Sequence, residues 1–125
     1  CIRDRKYANQ REQFGQKIAK FQAIQWMVAD MATELEAARQ LCYYAAWLLD
    51  QGKSPRDASD EIARCKLYAC NIASQTALRA IQIMGGYGPI PEYEVVRRLN
   101  DSIQLFTAAG TQEIMKNTIG RSIIS

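Results

Sequence analysis

A chain of 125 residues that is 48% apolar and 23% charged has enough core-forming material for one domain and too much to stay disordered. Its net charge of +3 is spread along the sequence rather than gathered in a stripe, which argues against binding duplex nucleic acid. It has no histidine, so the commonest general base and the commonest metal ligand are both missing, and no metal site is expected.

The chain begins at Cys1 and runs at once into "CIRDRKYANQREQFG", which reads as the middle of a helix and hence as part of a longer chain. Arg3, Arg5, Lys6 and Arg11 are the densest basic group and read as a solvated helix face. From Phe21 the apolar positions are Phe21, Ile24, Val28, Met31, Leu35, Ala38, Cys42, Ala45 and Leu49, steps of three and four that predict one long helix with a continuous buried seam. Gly52 ends it. Ser54 is then expected to cap the next helix, with Pro55 at its first position and Asp57 in its first turn. The second seam is Ile62, Cys65, Ala69, Ile72, Thr76, Ala80 and Ile83, and small residues beside it would let a neighbouring helix come close. "GGYGP", Gly85 to Pro89, stops this helix. A shorter helix is expected over Glu92 to Asp101. A last one is expected from Thr111, its N-cap, to about Ile124, with Ile114, Met115, Thr118, Ile119, Ser122 and Ile123 turned inward.

No segment alternates with a period of two, so the expected fold is all-α: an antiparallel up-down helical bundle formed by residues 1–125 as a single helical domain. None of the four cysteines, Cys1, Cys42, Cys65 and Cys70, forms a C-x-x-C pair, and the last three stand in helical, apolar surroundings as small hydrophobes, which favours a reducing compartment. No apolar run has the length of a membrane span. Glu34 and Glu36 read as water-facing, Asp57, Asp60 and Glu61 as charges opening a helix, and Glu92 and Glu94 as loop residues around Tyr93. "LFTAAGTQEIM", Leu105 to Met115, puts two alanines, Ala108 and Ala109, just before a helix start, where free N–H groups and partial positive charge often serve chemistry. Composition and spacing alone reach no further than a helical bundle.

Four stretches carry a resemblance: "YANQREQFGQKIAKFQAIQWMVADM", "EAARQLCYYAAWLLDQG", "AIQIMGGYG" and "AGTQEIMKNTIGR". In this order they resemble the C-terminal helical domain of acyl-CoA dehydrogenases, enzymes that also carry an N-terminal helical domain and a middle β-domain. The resemblance implies FAD bound across a subunit interface, a homodimer or homotetramer, an acyl-CoA substrate and α,β-dehydrogenation of its thioester or the reverse. It also implies a role in fatty acid metabolism, in the cytoplasm of a bacterium or in the mitochondrial matrix. It leaves the electron-transfer partner unknown. By the same resemblance Arg11 would contact the pyrophosphate of the neighbouring subunit's FAD, Phe14 would pack on that cofactor, and Ile18 would line its apolar side. Gln82 and Gly86 would meet the adenosine half, and Thr111 and Glu113 would lie near the cofactor at the helix start. In many members a glutamate directly before Gly-Thr removes the α-proton, and other members supply it from the helix ahead of this domain. Here that position is Ala109, which has no titratable group. The alternative is a catalytically inactive homologue serving as a binding or assembly subunit.

Overall fold

The computed structural model describes residues 2–124. Cys1 therefore lies outside the described residues. The architecture is the expected all-α bundle: α1 (Ile2–Gln10), α2 (Gln22–Asp50), α3 (Ser59–Met84), α4 (Val95–Gln104) and α5 (Gln112–Ile124). One element was not expected, a hairpin of β1 (Glu12–Gln13) and β2 (Gln16–Lys17). Its two-residue turn places Phe14 at φ 54° and Gly15 at φ 78°, the left-handed pair a tight hairpin turn requires. Two-residue strands have no room for an apolar alternation, so the hairpin left no periodic trace in the sequence.

α2 and α3 run antiparallel. Cys42 on α2 meets Cys65 on α3, and Glu34 meets Arg79, so one helix descends as the other rises. Gly52, at φ 89°, closes α2 as expected. Lys53 N–H donates to the Leu48 carbonyl at 3.1 Å and Gly52 N–H to that of Leu49 at 2.9 Å, the two bonds of a Schellman motif. Met31, Ala38 and Ala45 of the expected seam are buried, but Leu48 is buried in place of Leu49, which is 38% exposed. Glu34 does not simply face water: both its oxygens engage the Arg79 guanidinium across the helix pair.

α3 begins at Ser59, later than expected. The Ser54 hydroxyl does accept the Asp57 N–H at 3.2 Å, but it caps an isolated turn, because residues 55–58 do not continue into the helix. Ile72, Thr76, Ala80 and Ile83 of the expected seam are buried, and so are Ala63, Cys70, Ser74, Ala77 and Met84 outside it. One stripe cannot describe α3, because α1, α2, α4 and α5 all pack on it. α4 starts at Val95 rather than Glu92, since Glu94 takes the left-handed conformation at φ 58° and a right-handed helix cannot run through it. On α5 the inward face fails: Ile114 is 53% and Ile123 66% exposed, Ser122 is exposed, and only Met115, Thr118 and Ile119 are half-buried. A helical period marks an apolar face without saying what covers it, and here α5 touches α3 alone among the helices it packs on closely.

The principal core gathers at the C-terminal end of α3, where Ala80, Ile83 and Met84 meet Ala8 of α1, Met31 of α2 and Val95 of α4. The 85–88 turn seals this end. A Cβ on Gly88 would sit 2.6 Å from the Ile81 carbonyl oxygen and 2.8 Å from Ile81 Cα, whereas one on Gly86 meets nothing within 4 Å. Gly88→Ala should therefore cost about 1–3 kcal/mol through backbone overpacking. Gly86→Ala should stay within about 0.5 kcal/mol of wild type, as surface changes do. Urea denaturation of the two variants checks the contrast, and equal midpoints would refute it.

Candidate functional site

Arg11 stands where α1 ends. Its N–H donates to the Tyr7 carbonyl at 2.8 Å, and its own carbonyl accepts the Ile18 N–H at 2.9 Å. Held by backbone on both sides, it lays its guanidinium over the Tyr87 ring, 5.3 Å from Cζ to the centroid. Tyr7, Tyr87 and Tyr93 pack in a triangle with centroids 5.5–6.5 Å apart. Burial pushes the Tyr7 hydroxyl above its usual range, against the downward pull of Arg11. No carboxylate among the described residues pairs with Arg11, in contrast to Arg3, which binds Glu94.

Arg11, Ile18 and Gly86 line one shallow cleft with Gln13, Gly85 and Tyr87. Three of the residues expected from the resemblance thus come together, on α1, the segment after the hairpin and the turn after α3. Gln13 and the tyrosines were not anticipated. Tyr7 could have been found, because it lies one helical turn before Arg11 on the same face. Phe14 sits at the hairpin tip, 91% exposed, edge-on to Phe21 at 6.2 Å. It stands beside the cleft without lining it. Gln82 is exposed on the last turn of α3 and also lies off the cleft, and its carbonyl accepts the Gly85 N–H.

Thr111 and Glu113 belong to a separate place. Thr111 caps α5, its hydroxyl accepting the Ile114 N–H at 3.4 Å. The Glu113 backbone N–H and the Thr111 hydroxyl hold the Glu113 carboxyl below its usual range, so it is anionic at neutral pH. The preceding loop is fastened to the middle of α3. Cys70 Sγ donates to the Leu105 carbonyl at 3.6 Å, Gln112 bonds Asn71 at 3.3 Å, and the Lys66 ammonium donates to the carbonyls of Ala108 and Gly110. Lys66 was missed entirely, since nothing in a sequence links it to carbonyls 42 and 44 residues away. Ala108 and Ala109 are exposed, and Ala109 holds φ 53°. At 1.5 Å per residue, α3 rises roughly 27 Å between Lys66 and Met84 and roughly 20 Å between Asn71 and Met84. Loop and cleft of one chain therefore do not form one compact pocket.

The cleft offers a guanidinium with no carboxylate partner, an aromatic wall and glycine backbone with open space beside it. That combination suits a flat ligand carrying a phosphate anion. The loop offers a helix start without an acid or base at 108 or 109.

A sequence model described as "Acyl-CoA dehydrogenase, C-terminal domain" matches residues 3–124. The chain belongs to the acyl-CoA dehydrogenase family. Among its relatives, the caffeyl-CoA reductase–Etf complex subunit CarC of Acetobacterium woodii is 44% identical over 119 residues, 95% of this chain and 31% of CarC. Butyryl-CoA dehydrogenase from Megasphaera elsdenii superposes with a TM-score of 0.94 at 35% identity, covering 99% of this chain and 32% of that one. A FAD complex of PigA superposes with a TM-score of 0.89 at 37% identity, covering 96% of this chain and 30% of PigA. The chain thus spans about a third of the length of the relatives it matches. No helix among the described residues is long and apolar enough to cross a membrane.

The remaining nucleophile candidates are thiols. Cys42 and Cys65 approach to 2.8 Å between α2 and α3, both half-buried. Burial first, and the Cys42 contact second, push the Cys65 thiol from 9.0 to about 12, so it is no nucleophile at neutral pH. Because the folded value is raised, this thiol adds no pH dependence below about pH 9. As pH rises from there toward 12, the unfolded chain sheds a proton the folded chain keeps, and stability is lost. Cys65→Ala should therefore show a shallower alkaline fall in urea midpoint than wild type. Parallel alkaline profiles would show that Cys65 titrates normally.

Proposed function

We infer that this chain is the FAD-binding and self-association domain of an acyl-CoA dehydrogenase-like flavoenzyme that introduces, or in reverse removes, an α,β double bond in an acyl-CoA thioester. The observation that carries the reading is Arg11: a fixed guanidinium without a carboxylate partner, over Tyr87 and beside the open backbone of Gly85 and Gly86. A dinucleotide pyrophosphate supplies the anion such a fork is shaped for. Gly86 would let the adenosine half approach the backbone, since a side chain there would project into open space and not into its own protein. Gln82 and Phe14, exposed at the rims, would reach the same cofactor, and Ile18 would cover its apolar side. When bound, FAD supplies the hydride acceptor for the substrate β-carbon. Thr111 and Glu113 flank Gln112, which bonds Asn71 roughly 20 Å along α3 from the cleft at about 1.5 Å per residue, so they would serve the cofactor of a second subunit. That separation is what favours a homodimer or homotetramer over a monomer. A place in fatty acid metabolism follows from the substrate class.

Ala109 cannot take the α-proton. In this reading a carboxylate outside residues 108–109 does so. The second reading, an inactive homologue kept for binding or assembly, is favoured by the same two alanines. Losing a positioned base costs about 10²- to 10⁴-fold in rate.

Two measurements on the full-length protein test these readings. Arg11→Ala should weaken FAD retention about ten- to a hundredfold, the cost of losing a charge-assisted hydrogen bond, and Arg11→Lys should fall between because it keeps charge without the fork. Unchanged retention in Arg11→Ala would remove the cofactor assignment. Anaerobic flavin bleaching by saturated acyl-CoAs then separates the two readings. Bleaching by the unmodified protein supports a base elsewhere, and Ala109→Glu should then alter the pH–rate profile with at most a modest gain, as a second nearby carboxylate raises one pKa. If only Ala109→Glu bleaches, the base was lost. If neither bleaches although acyl-CoA and FAD are bound, the assembly reading stands.

A further inference from the structure

The turn before α5 is held in a costly shape. Ala109 sits at φ 53° and Gly110 at φ 101°, both left-handed, and only the glycine adopts this freely. A non-glycine residue there is strained, and persists only where its surroundings fix it. What surrounds it is Lys66. Its ammonium donates to the carbonyls on both sides of Ala109, those of residues 108 and 110, and a Cβ on Gly110 would meet Met115 Cε at 3.0 Å and Lys66 Nζ at 4.0 Å. The peptide unit is planar and trans, so a carbonyl drawn inward turns the N–H of the same unit outward. Lys66 thereby directs the N–H groups of Ala109 and Thr111 away from α3.

We propose that Lys66 is a positioning residue: it clamps the 108–110 turn from α3, fixing residue 109 in the left-handed conformation and presenting the N–H groups of 109 and 111 on the outer face. Two charge-assisted bonds from one ammonium can offset the backbone cost of Ala109. Cys70 and Asn71 hold the two ends of the same segment, through Leu105 and Gln112. Each of those is a single neutral bond and neither touches the turn itself. Lys66 bears on the chemistry only if position 109 stands where the α-proton is removed, on which the proposed function rests. Its hold on the turn can be measured whether or not they do.

The test is hydrogen–deuterium exchange of the full-length protein. The amides of Phe106, Thr107 and Ala108 bond to the carbonyls of Ile103 and Gln104, so they report whether the segment is closed. In Lys66→Met they should exchange about tenfold or more faster, the loss expected for a hydrogen bond to a charged group. Lys66→Arg, which offers several donors, should restore protection close to wild type. Arg64→Met, which removes a neighbouring cation paired only within α3, should leave the segment unchanged. Amides of α2 control for folding, and if Lys66→Met loosens them too, Lys66→Gln takes its place. Wild-type protection of residues 106–108 in the folded loss variant would overturn the assignment. So would a Lys66→Arg segment as open as that of the loss variant, or equal loosening by Arg64→Met.

Discussion

Everything in this fold depends on how closely other helices can approach α3. A helix met by neighbours on several sides must be thin on those sides, and α3 buries Ala63, Cys70, Ser74, Thr76, Ala77 and Ala80 where a helix with one apolar stripe would carry leucines. Close approach then fixes everything else. α2 lies against α3 with the Glu34–Arg79 pair spanning the contact, α1 and α4 meet its C-terminal end, and α5 lies along its other flank. Larger buried side chains include Leu48 and Ile72, and Met31, Ile83 and Met84 in the core at the C-terminal end of α3. The functional residues are arranged by this one helix: the cleft forms where it stops, and the loop is tied down at its middle.

The separation of cleft and loop along α3 follows from the same geometry. A straight helix cannot bring its middle and its end together, and the elements carrying Arg11 and Thr111 are each packed on their own stretch of it. A ligand touching both within one chain would have to span about 20 Å. In the homodimer proposed above, a twofold axis would remove the difficulty, with each chain presenting its cleft to the other's loop. The exposed apolar side chains of α5 and of the outer α2 face, such as Ile114, Ile123, Trp26 and Trp47, are what an incompletely buried domain shows.

Much of this was legible in the sequence because α2 and α3 are long and periodic. Three- and four-residue steps, Gly52 and the glycine cluster set their extents within a few residues. What stayed hidden has identifiable physical causes. The hairpin is too short to show a period. α4 is delayed by a left-handed Glu94, and glutamate carries no signal for that conformation. Leu48 rather than Leu49 is buried at the end of α2, a change of face that no three-four count anticipates. At the site, Arg11, Ile18 and Gly86 line one cleft, but Tyr87 and Lys66 act through contacts between distant positions. No local pattern encodes such contacts.

The turn at Ala109 bears on what the domain retains. Alanine offers nothing to proton transfer, so a chain that needed only to start α5 could do so with an extended residue before Thr111, at no backbone cost. Instead Ala109 keeps a positive φ, Gly110 follows in a conformation reserved for glycine, and a lysine from the middle of α3 spends its charge on two carbonyls to hold them. A side chain at 109 contributes only a methyl group here. The ordered feature is therefore the backbone itself, with its N–H groups turned outward beside a helix start. In the proposed arrangement those N–H groups would suit a carbonyl or an anion whatever side chain stands at 109. In the function proposed above, an alanine at this position leaves the loop's backbone donors in place, so what the loop would bind does not depend on which residue carries the proton.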